Sequence, residues 1–292
     1  MSFYQKVRKQ VIRLGRTFKE AFLNWMDDSP FRWSAIVAYY AILSLPALMI
    51  LILNTVGFFW KRSNIEEEVI SEISGIMGDD TAKSIETMID QVSYSQDNTL
   101  LTILGIATLI YGATGVFYHV QISFDKIWEV EESGNVVREV LIHRAKSFAF
   151  ILIIGFLLLI SFILTTLITT LSEYIQRFLG DFWYSLMYYF DLLFSFFMIT
   201  LLFAAMFKFL PSRRIPWRSV WAGGICTAFL FLIGKFLLGL YFGKAEPGST
   251  YGAAGSIVVI MLWVSYSSLI IFYGAHFTRV TNIKGNENRE DS

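Results

Sequence analysis

The chain alternates long apolar runs with short polar stretches, and its charges gather between the runs rather than within them. Six runs are long enough for helices that cross a hydrocarbon core of ~30 Å, which takes about 20 residues. They cover about 34–58, 100–120, 148–170, 186–207, 220–242 and 251–277. Pro46, near the middle of the first run, removes one backbone hydrogen bond and predicts a kink. The second run carries Gly105, Gly112 and Gly115, and the sixth opens with Gly252, Ala253, Ala254, Gly255 and Ser256. Small residues let membrane helices approach closely. Packing is therefore the first reading of Gly252, Gly255 and Ser256, and a backbone facing a substrate path the second.

The polar stretches have their own patterns. Residues 1–30 set Lys6, Arg8, Lys9, Arg13, Arg16 and Lys19 among Val7, Ile12, Leu14, Phe18, Phe22 and Trp25 at helical spacing. This predicts an amphipathic helix, either on an anionic membrane surface or packed on the ends of the membrane helices. The segment lacks the continuous apolar stretch and small-residue cleavage site of a signal peptide. Asp27-Asp28-Ser29-Pro30 breaks it before the first span. Residues 60–98 hold nine acidic side chains against Lys61, Arg62 and Lys83. Two apolar stripes, Ile65/Val69/Ile73/Ile76 and Ile85/Met88/Ile89/Val92, flank Gly78-Asp79-Asp80-Thr81, which predicts a small acidic helical hairpin. The loop 121–147 is mixed in charge, with an interfacial helix expected near Ile127 and Trp128. The tail 281–292 is polar and is expected to be disordered.

Composition fits this pattern. The 292 residues are 55% hydrophobic and 16% charged, against about 25% charged in soluble domains. The fold class is an all-α polytopic membrane protein with six transmembrane helices, an amphipathic N-terminal helix and a small extracytoplasmic hairpin. If both termini share one side, that side carries eighteen of the 24 Lys and Arg residues and the other carries five, with Lys235 inside the fifth span. This asymmetry predicts cytoplasmic termini, with Arg213, Arg214 and Arg218 holding topology and meeting anionic lipid.

Intramembrane charge is where chemistry is sought. Lys235 lies about a third of the way into the fifth span from its outer end, and Asp191 a few residues into the fourth. Because these spans run antiparallel, the two charges fall at similar depth. Such groups usually face a bundle interior or a wet cavity with a partner. They predict either an outward-open cavity for a charged solute or lipid headgroup, or a structural ion pair. Lys235 could also snorkel along its stem. His119, His143 and His276 have no metal-ligand spacing, and Cys226 is the only cysteine, so no metal site is expected. No GxxxxGK[ST] phosphate loop is present, and no Ser-His-Asp arrangement stands out.

Several words of the sequence are similar to a known family. Phe209-Leu210-Pro211-Ser212-Arg213-Arg214, Gly234-Lys235-Phe236-Leu237, Gly239-Leu240-Tyr241, Tyr251-Gly252-Ala253-Ala254-Gly255-Ser256, Leu262-Trp263-Val264 and Tyr273-Gly274-Ala275 carry the likeness. Ala38-Tyr39-Tyr40-Ala41-Ile42-Leu43-Ser44-Leu45-Pro46, Ala113-Thr114-Gly115-Val116-Phe117 and Ile127-Trp128 extend it. Over roughly residues 20–280 the chain resembles the YihY/virulence factor BrkB family. The resemblance implies a polytopic inner-membrane protein, with an old ribonuclease label and a suspected transport role. His276 stands where many members carry Glu, and Leu269 where Gln is frequent, which weakens any mechanism that needs a carboxylate in the sixth span.

The ribonuclease label fails on chemistry. A nuclease needs an acid/base pair or carboxylate-held metals beside a basic groove, and the short loop at Arg213, Arg214 and Arg218 has no nearby carboxylate or histidine in sequence. The expectation is a non-enzymatic translocator of a solute or lipid. The alternative is a non-transporting scaffold or envelope-assembly partner; a membrane enzyme acting on lipid headgroups would need a catalytic cluster, and none is visible. The expected partners are the bilayer, anionic headgroups and an unidentified substrate, with no nucleic acid or cofactor and a homo-oligomer left open.

Overall fold

The computed structural model describes residues 3–57, 99–130, 140–157, 181–245 and 255–290, with isolated helical positions at 70, 71, 74, 82, 83, 86, 87, 138, 160 and 164. Among the described residues every regular element is a helix. We label them α1 (Phe3–Asp27), α2 (Pro30–Gly57), α3 (Thr99–Ile127), α4 (Val140–Leu157), α5 (Asp181–Phe209), α6 (Trp217–Ala245) and α7 (Gly255–Glu290). Four stretches among them are long and apolar enough to span a membrane: Val140–Leu157, Leu192–Phe209, Trp217–Phe242 and Ile257–Gly285. α2 and α3 are helical over the first two predicted runs, though they are not among these four. α2 runs through Pro46 as helix.

The packing order is α3 on α2, α2 on α7, α7 on α6 and α6 on α5, with α1 laid along α7. α4 joins through Phe150, whose ring meets Phe117 of α3 edge to face at 5.3 Å. A core of Val120, Phe124, Phe203, Phe207, Leu210 and Phe272, among others, ties α3, α5 and α7 together. α7 is the hub.

Close approach in the α6/α7 pair comes from two Gly-xxx-Thr units that face one another. Thr227 Oγ1 donates to the carbonyl of Gly223 at 2.7 Å, one turn back on its own helix. Thr278 Oγ1 does the same to Gly274. Each hydroxyl then presses on the other helix's glycine: a Cβ at Gly223 would lie 1.7 Å from Thr278 Oγ1, and one at Gly274 would lie 1.9 Å from Thr227 Oγ1. Gly115, expected to be a packing residue, does meet α2, where a Cβ would come 2.9 Å from Ser44 Oγ.

Three boundaries differ from the sequence reading, for one reason. The region around Ile127 and Trp128 is not an interfacial helix: α3 continues to Ile127, and both side chains are buried in the core. α4 is helical from Val140, so His143, Arg144 and Lys146 lie within it rather than in a loop. The tail is not disordered over the described residues, since α7 runs to Glu290. At each boundary a charged side chain is engaged sideways: Lys126 over the Trp33 ring, Arg144 on α3 and Lys284 on α1. Lys284 shows this: its ammonium pairs with Glu20 at 2.6 Å and donates to Thr17 on α1. The predicted hairpin at 60–98 lies almost wholly outside the described residues.

α1 is packed against α7. Thr17 and Ala21 are buried, Phe18 packs on Phe277 at 4.8 Å, and Tyr273 donates to the Phe18 carbonyl. Ile12, Phe22, Leu23 and Met26 are exposed apolar side chains. The corner to α2 turns at Ser29, whose φ of 56° is left-handed, and Pro30 opens α2, where its missing N–H costs nothing.

Candidate functional site

Lys235 lies in α6, half-buried within an apolar span. Asp191 lies in α5; its side chain is outside the described residues. The α5/α6 register can be read from contacts nearer the loop that joins them. Gly224 faces Thr200 and Ala204, with a Cβ there 3.0 Å from the Thr200 carbonyl oxygen and 3.2 Å from Ala204 Cβ. Lys235 is eleven positions beyond Gly224, and Asp191 is nine and thirteen positions before Thr200 and Ala204. In antiparallel helices these counts bring the two backbones to one level.

Along the face where α5 and α6 meet lies an open apolar groove of about 450 Å³, lined by Phe190, Leu193, Phe197, Thr200, Trp221 and Ile225 among others. Thr200 is buried, and its hydroxyl has no hydrogen-bond partner. Of the other sequence candidates, Gly255 is buried at the start of α7. Gly252 is outside the described residues, as are the side chains of Ser256 and Pro46. The close α6/α7 approach described above is made at Gly223 and Gly274.

The loop between α5 and α6 is held by polar contacts. Asp125 of α3 accepts from the Ser212 backbone N–H at 2.6 Å and the Ser212 hydroxyl at 2.8 Å. It also faces His143 Nε2 at 3.6 Å, and Lys146 donates to Ser212. Arg213 donates to the Trp128 carbonyl at 3.3 Å, so it fixes the loop onto α3; Arg214 and Arg218 are exposed. Lys208 donates to the Ile215 carbonyl and sits over Trp217, 5.3 Å from its ring centroid.

At the same end of the bundle lies His276. It is only 2% exposed, with Nε2 3.5 Å from Asp28 at the α1/α2 corner and Nδ1 unpartnered. A cavity of about 10 Å³ beside it, bordered by Trp25, Asp28, Trp33, Ser123 and Phe272, has room for about one water. Next to it Arg279 pairs with Glu129, a residue with φ of 50° just past α3. Among the described residues no group of three or more His, Cys, Asp or Glu side chains could hold a metal.

This helical bundle, its apolar spans and its basic loop can now be set beside known proteins. A family model described as Virulence factor BrkB matches residues 21–292. The chain belongs to the BrkB family. It is similar to a UPF0761 membrane protein of Saccharophagus degradans, 23% identical over 279 residues, covering 96% of this chain and 62% of that one. It is also similar to UPF0761 membrane proteins of Pseudomonas aeruginosa, 27% identical with 86% and 59% covered, and of Azotobacter vinelandii, 28% identical with 87% and 60% covered. This BrkB protein thus spans about three fifths of the length of the curated relatives it matches. No solved structure matches it. It is a membrane protein of the BrkB/UPF0761 family.

Sequence reasoning missed the seam between α3 and α4. There Arg144 donates from Nη1 to the Tyr111 carbonyl at 2.7 Å and to Thr114 Oγ1 at 2.9 Å. Gln121 and Ser147 are wholly buried there, and neither side chain has a hydrogen-bond partner. A signal was available in the spacing, because Thr114, Gln121 and Asp125 recur on one helical face.

Proposed function

We propose that this BrkB protein is a six-span inner-membrane translocator of a charged solute or lipid, with both termini cytoplasmic and a path beside α5 and α6. The observation that carries this reading is the α5/α6 register, which brings the backbones of Asp191 and Lys235 to one level within apolar helices. An ammonium and a carboxylate at that depth are costly to keep in lipid and are characteristically retained where they face a substrate or each other. Together they can bind a zwitterion or guide a headgroup, one charge on each, while the adjoining groove accommodates apolar chain. The exposed Arg214 and Arg218 fit an anionic headgroup layer at the loop end.

The test uses the single cysteine. In a Cys226→Ser background, a lone cysteine is placed at 191 or at 235, and intact cells are labelled with a membrane-impermeant maleimide. Rapid labelling at both positions is expected. Protection at both, in protein that still elutes as a folded species, would sink the translocation path and leave a structural pair. The second reading, a scaffold that docks partners, is favoured by the exposed Ile12, Phe22, Leu23 and Met26 of α1. Capture of a defined envelope partner that is lost on replacing those four residues with Ser supports it.

A further inference from the structure

Arg144 is placed unusually for an arginine in a membrane protein. It lies five residues into the apolar stretch Val140–Leu157 and reaches along α3 to Tyr111 and Thr114. Thr114 is eleven positions before Asp125, so the guanidinium lies on the order of 10–16 Å inward from the Ser212 loop. No ion pair joins it to a carboxylate among the described residues. The nearest acid along the seam, Asp125, is engaged with Ser212 and His143.

The guanidinium is only partly used. It has five N–H donors in a fixed fork. Nη1 makes both observed hydrogen bonds, while Nε is buried without a partner. The rings of Tyr111 and Tyr118 lie against it, with centroids 4.0 and 4.8 Å from Cζ. These contacts hold its plane still. The unused edge, Nε with Nη2, is the edge that receives a carboxylate or phosphate oxygen pair.

A second observation falls in the same stretch of seam. On α3, Gln121 lies between Phe117 and Asp125, which contact Phe150 and His143 of α4. On α4, Ser147 lies between those same two residues. Gln121 and Ser147 are fully buried, and Gln121 Oε1, Gln121 Nε2 and Ser147 Oγ are all unpartnered. Arg144 and Ser147 are three apart on one helix, hence neighbours on its surface. Buried polar groups are nearly always hydrogen-bonded, and orphaned atoms within about two helical turns of an arginine that has no carboxylate partner among the described residues point to a ligand.

We propose that the α3/α4 seam is an oxyanion site, in which Arg144 receives a carboxylate or phosphate group on its Nε/Nη2 edge and Gln121 and Ser147 donate to it. His143 and Lys146 line the approach from the Ser212 loop. The site is distinct from the Asp191/Lys235 level and does not depend on translocation.

The test uses the full chain in dodecyl maltoside micelles, which carry no phosphate or carboxylate, with thermal unfolding as the readout. One arm adds inorganic phosphate against chloride at equal ionic strength; the other adds phosphatidylglycerol to the micelles. A soluble oxyanion raises Tm in the first arm, and a lipid phosphate raises it in the second only, by roughly 2–4 °C. Arg144→Lys keeps the charge but loses the fork, and it abolishes the rise. Ser147→Ala, which is expected to fold normally, weakens the anion's apparent Kd by about tenfold. Gln121→Leu raises the anion-free Tm yet shrinks the anion-dependent rise, an opposed pair of effects that an arginine acting only as a staple does not produce. The proposal is overturned if neither probe raises Tm, or if the rise is the same in wild type, Arg144→Lys and Ser147→Ala.

Discussion

At the residue scale the α6/α7 contact is the sharpest constraint in the molecule. A methyl at Gly274 meets Thr227 Oγ1 and also Phe207 Cζ at 2.9 Å, so the helices must separate or the threonine must turn. Overpacking of this kind costs about 1–3 kcal/mol. Gly274→Ala is expected to lower Tm in detergent by several degrees, and adding Thr227→Ala to recover part of the loss. A double-mutant cycle with a coupling below about 0.5 kcal/mol would show that the two residues do not press on each other. Asp28 poses a different problem. Removing its carboxylate leaves His276, buried on every side, with neither ring nitrogen partnered. Asp28→Ala is expected to destabilise by about 1–3 kcal/mol, and Asp28→Asn by less because an acceptor remains; equal losses in the two unfolding curves would show that the Asp28 oxygen does not support His276.

At the element scale, what the sequence made legible was apolarity. The runs at about 186–207, 220–242 and 251–277 became α5, α6 and α7, because nothing but a membrane helix satisfies so long an apolar backbone. Helix ends were less legible. Arg144, Lys146 and Lys284 looked like loop and tail residues, yet Arg144 and Lys284 have partners on neighbouring helices and Lys146 has one in the α5–α6 loop, and a charge that is satisfied sideways does not end a helix. Chain spacing carries no record of such partners. The same holds for the α5–α6 loop, whose order depends on Asp125, 87 positions earlier. Asp125→Ala is expected to free that loop and to speed tryptic cleavage at Arg213 and Arg214 severalfold in inverted membrane vesicles; an unchanged rate would mean that Arg213 and Lys208 hold it without help.

At the scale of the whole molecule the family and the membrane character were readable from a few words such as Phe209-Leu210-Pro211-Ser212, whereas for candidate site residues the sequence offers depth alone. Depth along a helix follows from counting, and it led to Asp191 and Lys235. Facing does not, and the Arg144 seam depends on facing. The charge asymmetry makes a prediction of its own: a reporter that fluoresces only in the cytoplasm, fused after Glu290, is expected to shine, and the same reporter inserted within 60–98 to stay dark. The reverse result would invert the topology.

Because α7 is the hub, synthesis order matters. α7 packs against α1, α2 and α6, yet it is made after all of them. At ~5–20 residues per second, α1 waits roughly 13–50 s for Lys284, and α2 and α6 hold open the faces that α7 will fill. During that interval the faces of α1, α2 and α6 that α7 covers lack that partner. A ribosome stalled before residue 255 would therefore leave a product that quality control removes, not a smaller working protein.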